Sequence, residues 1–500
     1  MHIKKVFRIY LVLFLLLPQA VFAQRSADRQ EVFPRLEPDP KALEFFLRGA
    51  GSRGFTWTDL AEISLWASGA TNIAPYLEQI RAAAAAIQSS PEFPSTERER
   101  ADFILNFIHS NLLRSYSLTQ SGIDTMLTTG RFNCVSSAVL YMILCKSVGL
   151  EVSGVIVRDH AFVMVHIDGA AIDVETTNRF GFDPGNRREF HDEFGRVTGF
   201  AYVPAQNHRD RQTISPVELV SLILTNRISE LERRNRFPES IPLAIDRYAL
   251  LVGIEHNANT RVETTAPFFE NPRQDMMNRL FNYGAFLLNS GREEECLRWI
   301  AFAAQRYPDE QQWQELAVTA VNNRITRFLR SGHITDARSF LTAQRPALSP
   351  ANYTRFDTLL LDTELLNSAN RIRSAADGDN VLAAIEEARF NDRISSERAT
   401  ELLNFVVQRT AANLSSGRDW LAAINYIENA IARFGSNREL EQALRNFRTN
   451  RATEFHNRFA TAWNRRNFDE ARQILDEGLA EFPNDRQLLA NMEIVNRHRP

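Results

Sequence analysis

The chain has 500 residues, 44% of them apolar and 24% charged, with 61 acidic side chains against 58 basic ones and a formal net charge of −3. That length exceeds one ordinary hydrophobic core and predicts two or more domains. The charge balance excludes a chain built to neutralise phosphates, and no nucleic-acid partner is expected, although Arg supplies almost all of the cations, with Lys only at positions 4, 5, 41 and 146.

Residues 1–23 read as a signal peptide. Lys4, Lys5 and Arg8 precede the apolar run Tyr10 to Leu17, and Val21-Phe22-Ala23 stands before Gln24. The run is short for a membrane span of ~20 residues. The mature protein is therefore expected to be periplasmic or secreted, with no stable membrane span after cleavage. Residues 24–40, with Pro34, Pro38 and Pro40, read as a flexible leader.

Helical periodicity fills 41–89, and Ser90 to Thr96 interrupts it. Ser95 or Thr96 caps a further helix carrying Ala101, Ile104, Leu105, Ile108 and Leu112. Thr128 to Asn133 then leads into a helix that begins at Cys134 and ends at Gly149. Val152 to Val157, Ala161 to Ile167 and Ala170 to Thr176 are β-branched and short, hence strands, with Asp168-Gly169 as a hairpin turn. Residues 178–213 read as Gly-, Asn- and Arg-rich loops.

The cysteines are 134, 145 and 296. The first two share one predicted helix, where their Cα atoms lie ~16 Å apart at 1.5 Å per residue, too far to bridge. Cys145, within Ile143-Leu144-Cys145, reads as a packing residue. Cys134 is different. At a helix start the unpaired N–H groups favour a thiolate and can also bind an oxyanion. A thiolate nucleophile needs an imidazole, and the imidazole needs an acid to fix its tautomer. His160 opens the second strand. Asp173 and Glu175 share one face of the third. Pairing about the turn brings 173–175 opposite roughly 162–164, and a register extended to the strand end sets 175 or 177 beside His160. His166 reads as structural or solvated. No metal-ligand spacing or phosphate-binding loop occurs, so no cofactor is expected.

Residues 98–178 resemble the transglutaminase-like, papain-related superfamily. The pieces are Gly130 to Cys134, then His160-Ala161-Phe162, then Glu175-Thr176-Thr177. The resemblance implies Cys134 as nucleophile, His160 as general base and an orienting acid in the last motif. Glu175 fits the acid-x-Thr spacing, whereas Asp173 has the more usual residue type but no following Thr. Phe162 stands where the family often has Trp.

From about 215 the strand patterns stop. Gly284, Cys296, Ala303 and Pro308 follow the spacing of tetratricopeptide (TPR) repeats, and Ala337, Ala423, Ala430, Ala471 and Gly478 recur similarly, although the interval between copies drifts. The expected fold is an α+β transglutaminase-like core with N-terminal helices over 41–213, followed by an all-α TPR-like solenoid over 214–500. The expected function is an exported cysteine-dependent acyl-transfer enzyme acting on a protein or peptide, such as a cell-wall peptide, with a protein partner on the repeats. The alternative is an inactive transglutaminase-like/TPR scaffold that mediates protein–protein contacts in the cell envelope.

Overall fold

The computed structural model describes residues 33–50, 54–157, 160–185, 188–199, 211–253, 271–308, 310–417 and 419–497. The expected signal peptide and leader residues 24–32 lie outside them. The chain divides into two compact units, Met1–Tyr283 and Gly284–Pro500, and the division falls within helix α10 (Pro272–Asn289).

The first unit mixes helices and strands. Four helices come first: α1 (Pro40–Gly49), α2 (Trp57–Ser68), α3 (Ala74–Gln88) and α4 (Glu97–Asn111). Thr96 caps α4, as its sequence suggests. A two-residue strand β1 (Ser115–Tyr116), a short helix α5 (Ile123–Thr129) and a two-residue strand β2 (Arg131–Phe132) follow, and β1 pairs with β2 in parallel. Helix α6 (Cys134–Ser147) is buried continuously from Val135 to Cys145. A helix apolar all round belongs at the centre of a core, and α6 packs against α2, α4 and the sheet.

That sheet has four antiparallel strands in the order β5-β4-β3-β6, where β3 is Glu151–Val157, β4 His160–Ile167, β5 Ala170–Val174 and β6 Gln212–Ile214. Asp168 and Gly169 both have positive φ, at 50° and 79°, the pattern of a two-residue hairpin turn. The hairpin register sets Val174 opposite Val163 and Asp173 opposite Met164. Alternate residues Ala161, Val163, Val165 and Ile167 join the main core, while Phe162 and Met164 form a second cluster with Val155 and Val157 on the other face. Burial on both faces is why β4 reads as a nearly unbroken apolar run.

Three expectations are corrected. Residues 178–213 are not all loop: they contain helix α7 (Arg188–Thr198), and β6 begins at Gln212. Buried Phe190 and Phe194 fasten α7. The expected division at 213/214 lies too early. Helices α8 (Pro216–Arg233) and α9 (Phe237–Val252) belong to the first unit, with α8 against α2 and α6 and α9 against α1. Leu219, Val220, Ile223 and Leu224 of α8 complete its core. Finally, the described end of the expected leader is held in place. Arg35 forms a two-pronged ion pair with buried Asp246 at 2.9 and 2.6 Å, and the Asp39 N–H donates to the same carboxylate at 2.7 Å.

The second unit is helical throughout its described residues. After the end of α10 come α11 (Glu293–Arg306), α12 (Gln311–Arg330), α13 (Ile334–Ala343), α14 (Pro350–Asn370), α15 (Ala375–Phe390), α16 (Ser396–Ser416), α17 (Trp420–Phe434), α18 (Arg438–Asn464), α19 (Phe468–Glu481) and α20 (Arg486–Arg497). From α11 onward each helix packs on the next, and α14, α16, α18 and α20 also touch in that order. Small residues sit at the close approaches. A Cβ on Gly478 would come within 3.0 Å of the Phe455 ring and 3.1 Å of Leu488, and Cys296 Sγ lies 3.4 Å from the Gly284 carbonyl. Ala303, Ala337, Ala423, Ala430 and Ala471 are all buried.

Candidate active site around Cys134 and His160

Asn133 builds the start of α6. Its Oδ1 accepts from the Ser136 N–H at 3.0 Å, and the Ser136 hydroxyl accepts from the Asn133 N–H at 2.9 Å, a reciprocal cap. Its amide also donates to the Leu118 carbonyl at 3.1 Å and to Ser121 Oγ at 2.8 Å, fixing the cap to the preceding loop. Cys134 is therefore the first helical residue, half-buried and free of any disulfide. Among the described residues no hydrogen bond occupies the N–H of Cys134 or Val135. Cys145 lies fully buried in the same helix, and burial pushes its thiol well up. Cys296 is also buried, its thiol pushed up to about 12.

His160 stands at the first position of β4. Its Nε2 donates to Glu175 Oε2 at 2.6 Å, which leaves Nδ1 as the other ring nitrogen. Burial alone would lower the imidazole pKa. The Glu175 charge, the hydrogen bond to Glu175 and the nearby Cys134 outweigh it, holding His160 well above its usual 6.5. The ring stacks on Phe162 at 6.2 Å and meets the edge of Phe194 from α7 at 6.1 Å.

Glu175 follows the last paired residue of β5. Its side chain is only 2% exposed, against 23% for His160, so the acid is sealed while the imidazole keeps an open edge. The second carboxylate oxygen accepts from the Thr177 N–H at 3.1 Å and the Thr177 hydroxyl at 2.7 Å. Burial would raise this carboxyl, yet His160 and the two Thr177 donors hold it below the ordinary 4.5. The Thr of the acid-x-Thr motif thus has a direct physical task.

Asp173, the other candidate acid, is not on His160. Arg211 grips it with two bonds of 2.8 and 2.6 Å, and the same guanidinium lies over the Phe162 ring at 5.3 Å. The register explains the difference. Asp173 faces Met164, four residues along β4 from His160, or ~13 Å at 3.4 Å per residue. His166 lies farther along and pairs with Ser153 Oγ at 2.9 Å.

Neighbours that the sequence reading did not single out hold this arrangement. The Ser137 and Thr176 hydroxyls meet at 2.8 Å, tying the first turn of α6 to the segment bearing Glu175. His109 at the end of α4 donates from Nε2 to the Thr176 carbonyl at 3.0 Å, and burial pushes its pKa down to about 4. Gly181 closes the turn: its carbonyl accepts from the Glu175 N–H at 2.8 Å, and a Cβ there would fall 1.9 Å from the Glu175 carbonyl oxygen. Asn178-x-x-Gly181 is the one local sign of that turn. His109 carries none, since a histidine in the last turn of an apolar-faced helix looks like any other.

No family model matches the chain, and a comparison with curated proteins gives no match. Among the described residues no group of three or more His, Cys, Asp and Glu is arranged to hold a metal ion, and no helix is long and apolar enough to cross a membrane.

The arrangement has the components of nucleophilic acyl chemistry: a thiol at a helix start, an imidazole beside it, and a buried carboxylate on the far ring nitrogen. The two unoccupied N–H groups belong to the same helix start as the sulfur.

Proposed function

We propose that the chain is a cysteine-dependent acyl-transfer enzyme with a transglutaminase-like core. Cys134 attacks a carboxamide or peptide carbonyl and forms a thioester, expelling ammonia or an amine that takes its proton from His160. Water then completes a hydrolysis or deamidation, or an amine completes a transamidation. Glu175 keeps the His160 ring oriented and stabilises it when charged. The observation that carries this reading is the 2.6 Å bond between His160 Nε2 and the buried Glu175 carboxylate, on an imidazole whose electrostatic neighbours include Cys134.

The succession of helix pairs after α10 supports a TPR-like solenoid that presents a surface to a protein partner. The charged and apolar segments at residues 4–17 support export to the periplasm or beyond, with cell-wall peptides or protein glutamines as substrate classes.

The test is acylation by p-nitrophenyl acetate. One acetyl group is expected on Cys134, found by peptide mass mapping and accompanied by a burst of p-nitrophenolate that Cys134→Ala abolishes. Equal acetylation of all three cysteines, or none, contradicts the proposal.

A further inference from the structure

Near the start of α6 stands a phenol that the acyl-transfer proposal does not use. Strand β1 exists only as a two-residue parallel bridge, and its register sets Tyr116 level with Phe132, two residues before Cys134. The Tyr116 ring meets Phe132 edge-on at 5.9 Å, and Phe132 in turn meets His109 at 6.0 Å. This aromatic chain fixes the phenol at the approach to α6. Helix α7, which brings Phe194 against His160, packs on β1 as well.

The Tyr116 side chain is half-buried. Among the described residues no protein group shares a hydrogen bond with its hydroxyl, and that hydroxyl is not among the buried polar atoms left without a partner, so it is open to solvent. Burial, together with the negative charges of Cys134 and Glu175, raises the phenol well above its usual 10. It therefore keeps its proton across the whole neutral range. An O–H group that stays protonated, stands near the start of α6 and is open to solvent is a donor that an incoming acceptor can take over from water.

We propose that the Tyr116 hydroxyl donates a hydrogen bond to the carbonyl oxygen of the acyl group under attack at Cys134, acting with the N–H of Cys134 itself. This rests on the acyl-transfer reading and names a further residue that touches substrate. In the addition step the Cys134 sulfur forms a bond to the carbonyl carbon and the π pair moves onto oxygen. That oxygen is then held by Tyr116 O–H and the helix-start N–H. When the intermediate collapses the pair returns, the bond to the leaving group breaks, and the leaving group takes a proton from the His160 imidazolium. Tyr116 keeps its own proton throughout, so it stabilises charge without serving as acid or base.

Tyr116→Phe tests this cleanly, because it keeps the ring on Phe132 and removes one oxygen that no protein group engages. Two rates are compared at Cys134: acylation by p-nitrophenyl acetate, which passes through an oxyanion, and alkylation by iodoacetamide, which displaces iodide at a saturated carbon and does not. The acylation rate is expected to fall about 100-fold, in the range seen when one oxyanion donor is removed, with alkylation unchanged within about two-fold. Equal acylation by the variant and the wild type overturns the inference alone. An equal fall in both rates also overturns it, because Tyr116 then acts on the thiol rather than on the acyl oxygen. Failure of the wild type to be acylated at Cys134 overturns the acyl-transfer reading beneath it.

Discussion

His160 Nε2 and Glu175 Oε2 stand 2.6 Å apart, and the remaining Glu175 oxygen is fully engaged by Thr177. The carboxylate is thus locked in one rotamer, and it locks the ring. Replacing Glu175 by Gln keeps the shape but removes the charge that raises His160. Glu175→Gln is expected to slow iodoacetamide labelling of Cys134 at neutral pH about 10-fold or more, as loss of a proton-transfer partner's support does. Asp173→Asn, whose parent carboxylate is held by Arg211, is expected to leave the rate within about two-fold. Rates measured by peptide mass mapping in the two variants check both statements, and the reverse order would reassign the orienting acid.

The same pair makes stability depend on pH in a defined window. His160 is raised in the folded state, so its contribution is complete below 6.5 and is lost as pH rises through its folded value. Glu175 is lowered, so its contribution is complete above 4.5 and is lost as pH falls through its folded value. The difference in urea midpoint between wild type and Glu175→Gln is therefore expected to be widest between 4.5 and 6.5 and to narrow on both sides. A difference constant across all pH values would show that the pair is not charged in the folded protein.

His109 acts in the opposite sense. Its folded pKa of about 4 lies below the ordinary 6.5, so the unfolded chain takes up the proton first as the medium is acidified. Stability falls as pH drops from 6.5 toward 4, by roughly 3 kcal/mol at the lower end at 1.36 kcal/mol per unit. His109→Gln, which keeps a donor for the Thr176 carbonyl, is expected to remove that acid-side slope while retaining Cys134 reactivity. Urea unfolding at a series of pH values reads the slope directly.

Gly181→Ala is expected to be severe for so small a change. The added methyl would overlap the Glu175 carbonyl, at 1.9 Å, and no flexible side chain is there to give way. A loss of about 1–3 kcal/mol is the ordinary scale for forcing an extra methyl into a packed position, and the turn that carries Glu175 moves with it. Thermal unfolding and Cys134 labelling are expected to suffer together. By contrast Ala471→Leu, buried in the second unit, is expected to lower stability by a similar amount (about 1–3 kcal/mol) and leave labelling unchanged.

Much of the first unit was legible because its signals are local. Asn133 before Cys134 is a cap, Asp168-Gly169 is a turn, and the strands that flank the turn are β-branched runs; together these predict the hairpin and its approximate register, 173–175 opposite roughly 162–164, and the observed pairing sets Asp173 opposite Met164. The acid-x-Thr spacing that favours Glu175 over Asp173 is local too, since Thr177 holds the Glu175 carboxylate. What Asp173 does instead is not local: Arg211 lies 38 residues away in sequence and reaches it only through the fold. The sequence carries little sign of helix α7 because Pro184 and Gly185 precede it and Gly195 within it lowers helical propensity, while the two phenylalanines that fasten it act through tertiary contacts. The same holds for α8 and α9. Their helical periodicity was plain, but periodicity does not say which unit a helix completes.

The most direct test of the central claim is the pH dependence of iodoacetamide labelling at Cys134 in wild type and His160→Ala. In the wild type the upward shift of His160 favours its charged form, a positive partner near the sulfur. Labelling is therefore expected to be selective for Cys134 and faster than in His160→Ala by about 10-fold or more near pH 6, where an ordinary free thiol of pKa ~8.5 is almost wholly protonated. In His160→Ala the rate is expected to climb with pH as an ordinary thiol ionises. Superimposable profiles for the two proteins would contradict the account.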